Sequence, residues 1–172
     1  MYIQTERLEL KPIGQDSLET LAELLADDVV KQTYMVPDFS CPEEAVPLAR
    51  HLMALSQQDD RLVVGIYAGS ELTGILNETE ATEEYIELGY ALLPRYHNRG
   101  IATEALRAAI GSCFARGFRE VRAGAFSQNH ASIRVMVKNG MQQIPLSEEI
   151  AYRGVTHTCV YYAIREEHRH AH

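Results

Sequence analysis

Arg95-Tyr96-His97-Asn98-Arg99-Gly100-Ile101-Ala102-Thr103-Glu104-Ala105 is a polar loop that runs into a helix. Before it, Tyr85 to Leu93 alternates as a strand does. After it, Gly100 to Arg116 places Ala102, Leu106, Ala109, Ile110 and Cys113 on one helical stripe. At 1.5 Å per residue that helix is roughly 25 Å long, enough to cover a sheet face. Gly117 ends it, and Glu120 to Phe126 reads as the next strand. A strand, helix and strand in this order predict a parallel pair with a right-handed crossover.

Outward from this unit the elements fall into place. Thr5 to Lys11 alternates as a strand, and Pro12 and Gly14 interrupt it. Asp16 or Ser17 caps a helix with Leu18, Leu21, Leu24 and Leu25 on one stripe, ending near Asp28. Thr33 to Pro42 is an irregular loop leading to a second helix over Glu43 to Gln58, and together they make a candidate substrate wall. Leu62 to Ala68 and Leu72 to Glu80 form a hairpin around Gly69-Ser70. Asn129 to Asn139 is a helix closed by Gly140, and Met141 to Leu146 and Val155 to Ile164 are a last strand pair.

The order predicts an α+β (mixed α/β) fold, a sheet with helices packed against it. At 172 residues and 46% hydrophobic content the chain is expected to form one domain over residues 1–165, with 166–172 as a disordered tail. No apolar run approaches the ~20 residues of a membrane-spanning helix, and no signal-type leader opens the chain, so a soluble cytoplasmic protein is expected. Cys41, Cys113 and Cys159 lack metal or disulfide spacing, so no metal site is expected. A net charge of −8 argues against nucleic-acid binding and favours a cationic partner such as an amine.

The loop has the properties of an anion cradle. A helix's first turn leaves backbone N–H groups without partners at the positive end of its dipole, a setting suited to a pyrophosphate. Gly100 and Ala102 are small enough for phosphate to approach, and Arg95 and Arg99 bring positive charge. The spacing matches neither GxxxxGK[ST] nor GxGxxG, which argues against a P-loop nucleotidase or a dinucleotide dehydrogenase. On the preceding strand Ile86, Leu88, Tyr90 and Leu92 share one face, while Glu87, Gly89 and Ala91 share the other. Those small residues either floor a groove or allow close helix packing.

Ile86-Glu87-Leu88-Gly89-Tyr90-Ala91-Leu92, the Arg99-Gly100-Ile101-Ala102-Thr103-Glu104-Ala105-Leu106 loop, and Asn129 and Ser132 ahead of Lys138-Asn139-Gly140-Met141 together resemble the GCN5-related N-acetyltransferase (GNAT) superfamily. With the opening Thr5-Glu6-Arg7-Leu8-Glu9-Leu10, they look like its ribosomal-protein N-terminal acetyltransferase (RimJ/RimL-like) branch. The resemblance runs from Ile3 to Ile164 and departs at two places. His97 stands where Gln or Arg is usual, and Met141 where Phe is usual.

The resemblance implies a central, mostly antiparallel twisted sheet of about seven strands with helices on both faces, and a splayed parallel strand pair holding acetyl-CoA as acetyl donor. The implied cofactor-binding residues are Ala91, Leu92, Leu93 and Asn129 for the pantetheine arm, His97, Asn98, Arg99, Gly100, Ile101, Ala102 and Thr103 for the pyrophosphate, and Ser132 for the thiol. Arg134 and Lys138 rank low as 3′-phosphate contacts.

Glu87 is the candidate general base, acting through a water, with Glu78, Glu80 and Asp38 as fallback acids. Ser132 is the candidate donor to the departing thiolate, since the position of a tyrosine used by some relatives is Met136. Asn129 can equally cap its helix, and Ser132 can bond within it.

The implied reaction is direct acetyl transfer to a primary amine, either a protein N-terminus or a small molecule. The alternative is a non-catalytic acyl-CoA-binding or sensing module. A homodimer is compatible with either.

Overall fold

The structure is a computed structural model that describes Met1–His168. The expected Arg169–His172 end of the tail lies outside the described residues, and Glu166–His168 forms a single 3-10 turn. The strands are β1 (Ile3–Gln4), β2 (Glu9–Lys11), β3 (Val63–Ala68), β4 (Glu71–Ala81), β5 (Tyr85–Leu92), β6 (Glu120–Phe126), β7 (Gln142–Tyr152) and β8 (Val155–Arg165). They form one eight-stranded sheet in the order β1-β2-β3-β4-β5-β6-β8-β7. Four helices accompany them: α1 (Leu18–Ala26), α2 (Pro42–Ser56), α3 (Ile101–Ala115) and α4 (His130–Lys138). The fold is the expected mixed α/β one, mostly antiparallel with one parallel pair, β5–β6.

Two of the predicted strands differ from those observed. Thr5 to Leu8 is a turn: the Thr5 amide donates to the Leu8 carbonyl at 2.8 Å, and the Leu8 amide donates to Thr5 Oγ1 at 2.9 Å. A short hydroxyl side chain that bonds its own backbone competes with the ladder, so the alternation there is real but the strand is confined to Glu9–Lys11. The penultimate strand extends to Tyr152 and contains Pro145, where its register against β8 shifts between Gln143 and Ser147. Since β7 lies at the sheet's edge, the proline costs no ladder bond on its outer side.

The chain divides into two compact units, Met1–Asn77 with Tyr90–Ala105, and Glu78–Gly89 with the chain from Leu106 on. In the first unit β1 to β4 pair antiparallel in sequence order. Helices α1 and α2 bury Leu21, Leu24, Leu25, Ala45, Ala49 and Met53 against Val63, Ile75, Ala91 and Leu93. The alanines of α2 recur at helical spacing, which brings its backbone close to α1. The loop before α2 is tied from within. Lys31, only 2% exposed, donates through Nζ to Asp38 at 3.1 Å and to the Phe39 carbonyl at 2.6 Å.

In the second unit Tyr85, Ile86 and Glu87 of β5 stand opposite Glu120, Val121 and Arg122 of β6, and β8 continues from β6 in antiparallel register. Ile86, Leu88, Val121 and Ala123 are buried, whereas Glu87 and Arg122, on the other face, are part-exposed. No helix among the described residues is long and apolar enough to cross a membrane.

Candidate active site

In the first unit the end of β5 and the start of α3 carry the predicted cradle. The Leu93 amide donates to the Thr73 carbonyl of β4 at 2.9 Å, so that donor is committed to the sheet. Alternation turns the Leu92 amide away from β4. Pro94–Tyr96 makes a 3-10 turn, and His97 then bonds through Nε2 to the Leu92 carbonyl at 2.9 Å. That ring nitrogen therefore braces the loop from inside.

Asn98 and Gly100 both have positive φ, 58° and 75°. Asparagine and glycine tolerate this conformation best, and two such residues bracketing Arg99 turn successive amides into a concave nest. The ladder of α3 begins where the Glu104 amide meets the Gly100 carbonyl at 3.0 Å, so the amides ahead of it belong to the open first turn. Arg95 is paired with Glu23 at 2.7 Å, which removes part of the positive charge expected from it. Arg99 lies with its guanidinium 5.7 Å from the centre of the Tyr96 ring.

A clamp of residues far apart in the chain holds this loop. Glu104 accepts from Thr5 Oγ1 at 2.6 Å, from the Arg7 amide at 3.1 Å and from Arg7 Nε at 2.7 Å, while Arg7 Nη1 donates to the Arg99 carbonyl at 3.0 Å. Burial alone would raise the Glu104 pKa, but the hydrogen bonds from Thr5 and Arg7 outweigh it and hold the carboxyl below its ordinary value. Sequence reading gave Thr5 and Arg7 only as part of a strand and of a family pattern. Their partner stands 97 residues or more away, and no periodicity points to it.

The sign of the pH effect follows. A depressed carboxyl stabilises the fold above the ordinary carboxylate range, and that stabilisation is lost as pH falls through the depressed value. Glu104→Gln is expected to cost about 1 kcal/mol at pH 7, once solvent screening around the half-exposed Arg7 is allowed for, and much less in acid. Urea unfolding at pH 7 and pH 2.5 measures both, and equal costs at the two would mean that the Glu104 charge contributes nothing.

In the second unit Glu87 accepts from Thr79 Oγ1 at 2.8 Å. Burial pushes its pKa up, the Thr79 bond and Arg122 pull it back, and the charges of Glu80 and Glu148 add to the rise. Of the fallback acids, Asp38 is tied to Lys31, and Glu80 accepts from the Tyr85 hydroxyl. Asn129 caps α4, its side chain accepting from the Ser132 amide at 3.2 Å. Ser132 itself is half-buried in the first turn, Met136 is fully buried, and Arg134 and Lys138 are exposed. Burial raises the Cys113 thiol to about 12, so it stays an inert core group. No group of His, Cys, Asp and Glu able to hold a metal occurs among the described residues.

The family model for the acetyltransferase (GNAT) domain matches residues 7–142. The chain belongs to the GNAT acetyltransferases. The matched span begins at Arg7 and takes in Arg7 and Glu104 of the clamp, the loop, Glu87 and Asn129 of this GNAT member. The uncharacterized N-acetyltransferase YoaA of Bacillus subtilis (strain 168) is 25% identical over 159 residues, 90% of each chain. Among solved structures, a GNAT-family acetyltransferase from Bacillus anthracis superposes with a TM-score of 0.84 at 24% identity, covering 97% of this chain and 99% of that one. RimL, the ribosomal L7/L12 α-N-protein acetyltransferase in complex with coenzyme A, does so with a TM-score of 0.83 at 20% identity, covering 96% and 98%. At these identities the superpositions establish a shared GNAT fold.

Proposed function

We propose that this GNAT member is an acetyl-CoA-dependent N-acetyltransferase of the cytoplasm that passes the acetyl group directly to a primary amine, with residues 1–165 acting as one catalytic domain. The observation that carries the reading is the nest at Asn98–Gly100 ahead of the α3 ladder, which fits a diphosphate by backbone geometry alone. The amides from Asn98 to Thr103 hold the diphosphate, and Ala91 to Leu93 line the pantetheine arm. In this reading Asn129 serves the pantetheine arm and Ser132 the thiol.

The amine nitrogen attacks the thioester carbon, the C–S bond breaks, and the electron pair leaves on sulfur. Ser132 supplies the thiolate with a proton. The proton shed by the amine passes through a water to Glu87, whose pKa burial raises above the ordinary carboxylate value, the direction that favours a base. The Leu92 amide, turned away from β4, polarises the thioester carbonyl. Most of the rate gain comes from holding nitrogen and carbon in attack geometry.

Calorimetry with acetyl-CoA, run beside a thiol-release assay over N-terminal peptides and small amines, tests the proposal. Micromolar binding with amine-dependent thiol release is expected. Binding without release from any amine would favour an acyl-CoA sensor, and no binding at all would end both readings.

A further inference from the structure

The face of the second unit that carries Glu87 also carries a second carboxylate held in an unusual way. In the register of β6, β8 and β7, Arg122, Gly124 and Phe126 share a face with Tyr161, Cys159 and His157, and with Glu148, Ile150 and Tyr152. Glu87 stands opposite Arg122 on the same face. Tyr161 lays its ring over Gly124, where a Cβ would meet the ring's Cε1 at 2.8 Å and Cδ1 at 3.1 Å, so glycine makes the space that the ring fills. The ring is 7% exposed, and burial holds its phenol protonated far above the ordinary value. The one proton it can donate goes to Glu148 Oε2 at 2.6 Å.

Glu148 is otherwise exposed. Surface glutamates sample many rotamers, whereas this one is fixed by a buried donor and keeps its second oxygen open to solvent. Neither Glu87 nor Glu148 has an ion-pair partner among the described residues. Arg122, opposite Glu87, is already bound to Glu120 at 2.5 Å and stacked 3.7 Å from the centre of the Tyr85 ring. Beside Glu148 the face turns apolar: Phe126 and His157 stack with ring centres 4.3 Å apart, and Tyr152 and Ile150 pack on the same cluster. Two carboxylates outside any direct ion pair among the described residues, beside an aromatic surface, are complementary to a primary ammonium with an apolar or aromatic substituent.

We propose that Glu148, fixed by the Tyr161 phenol, receives the ammonium of the acceptor and that the Phe126–His157–Tyr152 cluster takes the apolar group beside it. The inference rests on the N-acetyltransferase reading and names the acceptor class. Glu148 contacts the substrate and sets its affinity. Tyr161 is a positioning residue, and Glu87 keeps the proton-accepting role.

Steady-state thiol release at saturating acetyl-CoA, with phenethylamine and ethanolamine as varied acceptors, separates these roles. Wild type is expected to prefer phenethylamine in kcat/KM by about tenfold. Glu148→Gln should raise KM for phenethylamine about tenfold, with kcat and acetyl-CoA affinity changed less than twofold. Tyr161→Phe keeps the ring over Gly124 and should raise KM about threefold, a loss that disappears once Glu148→Gln is also present. Unchanged KM in Glu148→Gln, or a fall in kcat alone, would overturn the proposal.

A second measurement does not depend on turnover. Calorimetric binding of phenethylamine to the protein saturated with coenzyme A should weaken about tenfold in Glu148→Gln, and equal affinity would overturn the proposal. Failure of the acetyltransferase reading would show separately, as wild-type protein that binds phenethylamine but releases no thiol with any amine.

Discussion

Gly74→Val is expected to destabilise the protein by about 3 kcal/mol and to lower its melting temperature by roughly 6–12 °C. Gly74 lies in β4 where the backbone of β5 comes very close. A Cβ built there would meet the Ala91 carbonyl oxygen at 2.2 Å, Leu92 Cδ2 at 2.5 Å and Leu92 Cα at 3.0 Å. Two of these are backbone atoms, and the Leu93 amide is tied to Thr73 just beyond them, so the neighbour cannot rotate aside as a side-chain tip could. Alanine acts in the same direction with less bulk.

The same clash displaces Ala91 to Leu93, the stretch proposed to line the pantetheine arm, so acetyl-CoA affinity should fall with stability. Gly69 provides the control. It has open space where a Cβ would stand and a φ of 62°, so alanine there meets only left-handed strain, of order 1 kcal/mol. Thermal melts of both variants, with and without acetyl-CoA, decide the matter. A Gly74→Val protein that melts with wild type would mean that the two strands do not approach as described.

That contact also marks where sequence reading ends. The β5–loop–α3 stretch was legible because alternation switches to a helical stripe across a polar loop, two local signals that agree. Asn129 and Gly140 bracket α4 as cap residues do, and the helix runs between them. Long-range pairings carry no such local mark. The Thr5–Arg7–Glu104 clamp, the Gly74 approach and the Tyr161–Glu148 bond each join residues that only the tertiary fold brings together. Alternation at Thr5 to Leu8 gave a strand because a side chain that closes a turn on its own backbone leaves the apolar pattern untouched. Likewise Arg95 carries no local mark of its partner, because Glu23, which neutralises it, lies 72 residues away on α1.

Glu87→Gln is expected to lower kcat about a hundredfold at neutral pH while leaving acetyl-CoA affinity unchanged, because an amide keeps the shape but cannot take the amine's proton. It should also make the protein more stable at that pH. Burial is the main reason the Glu87 pKa stands above its ordinary value, and the charges of Glu80 and Glu148 push the same way against the Thr79 bond and Arg122. A carboxyl raised in the folded state gives up a proton more readily when unfolded. Folding stability therefore declines as pH climbs from the ordinary carboxylate range through the raised value, and it stays lower above both.

Glutamine has no charge to desolvate, so its stabilising effect should be full at pH 7.5 and vanish near pH 4, where the native carboxyl is protonated. Denaturant unfolding at the two pH values, paired with the pH–rate profile, reads both consequences from one variant. A rate limb that persists unchanged would take Glu87 out of proton transfer. A stability gain of the same size at pH 4 and pH 7.5 would show that it comes from packing and that the buried charge costs nothing. Only the joint outcome, turnover lost and stability gained with the same pH dependence, fits a carboxylate kept in a poor solvent for the sake of its basicity.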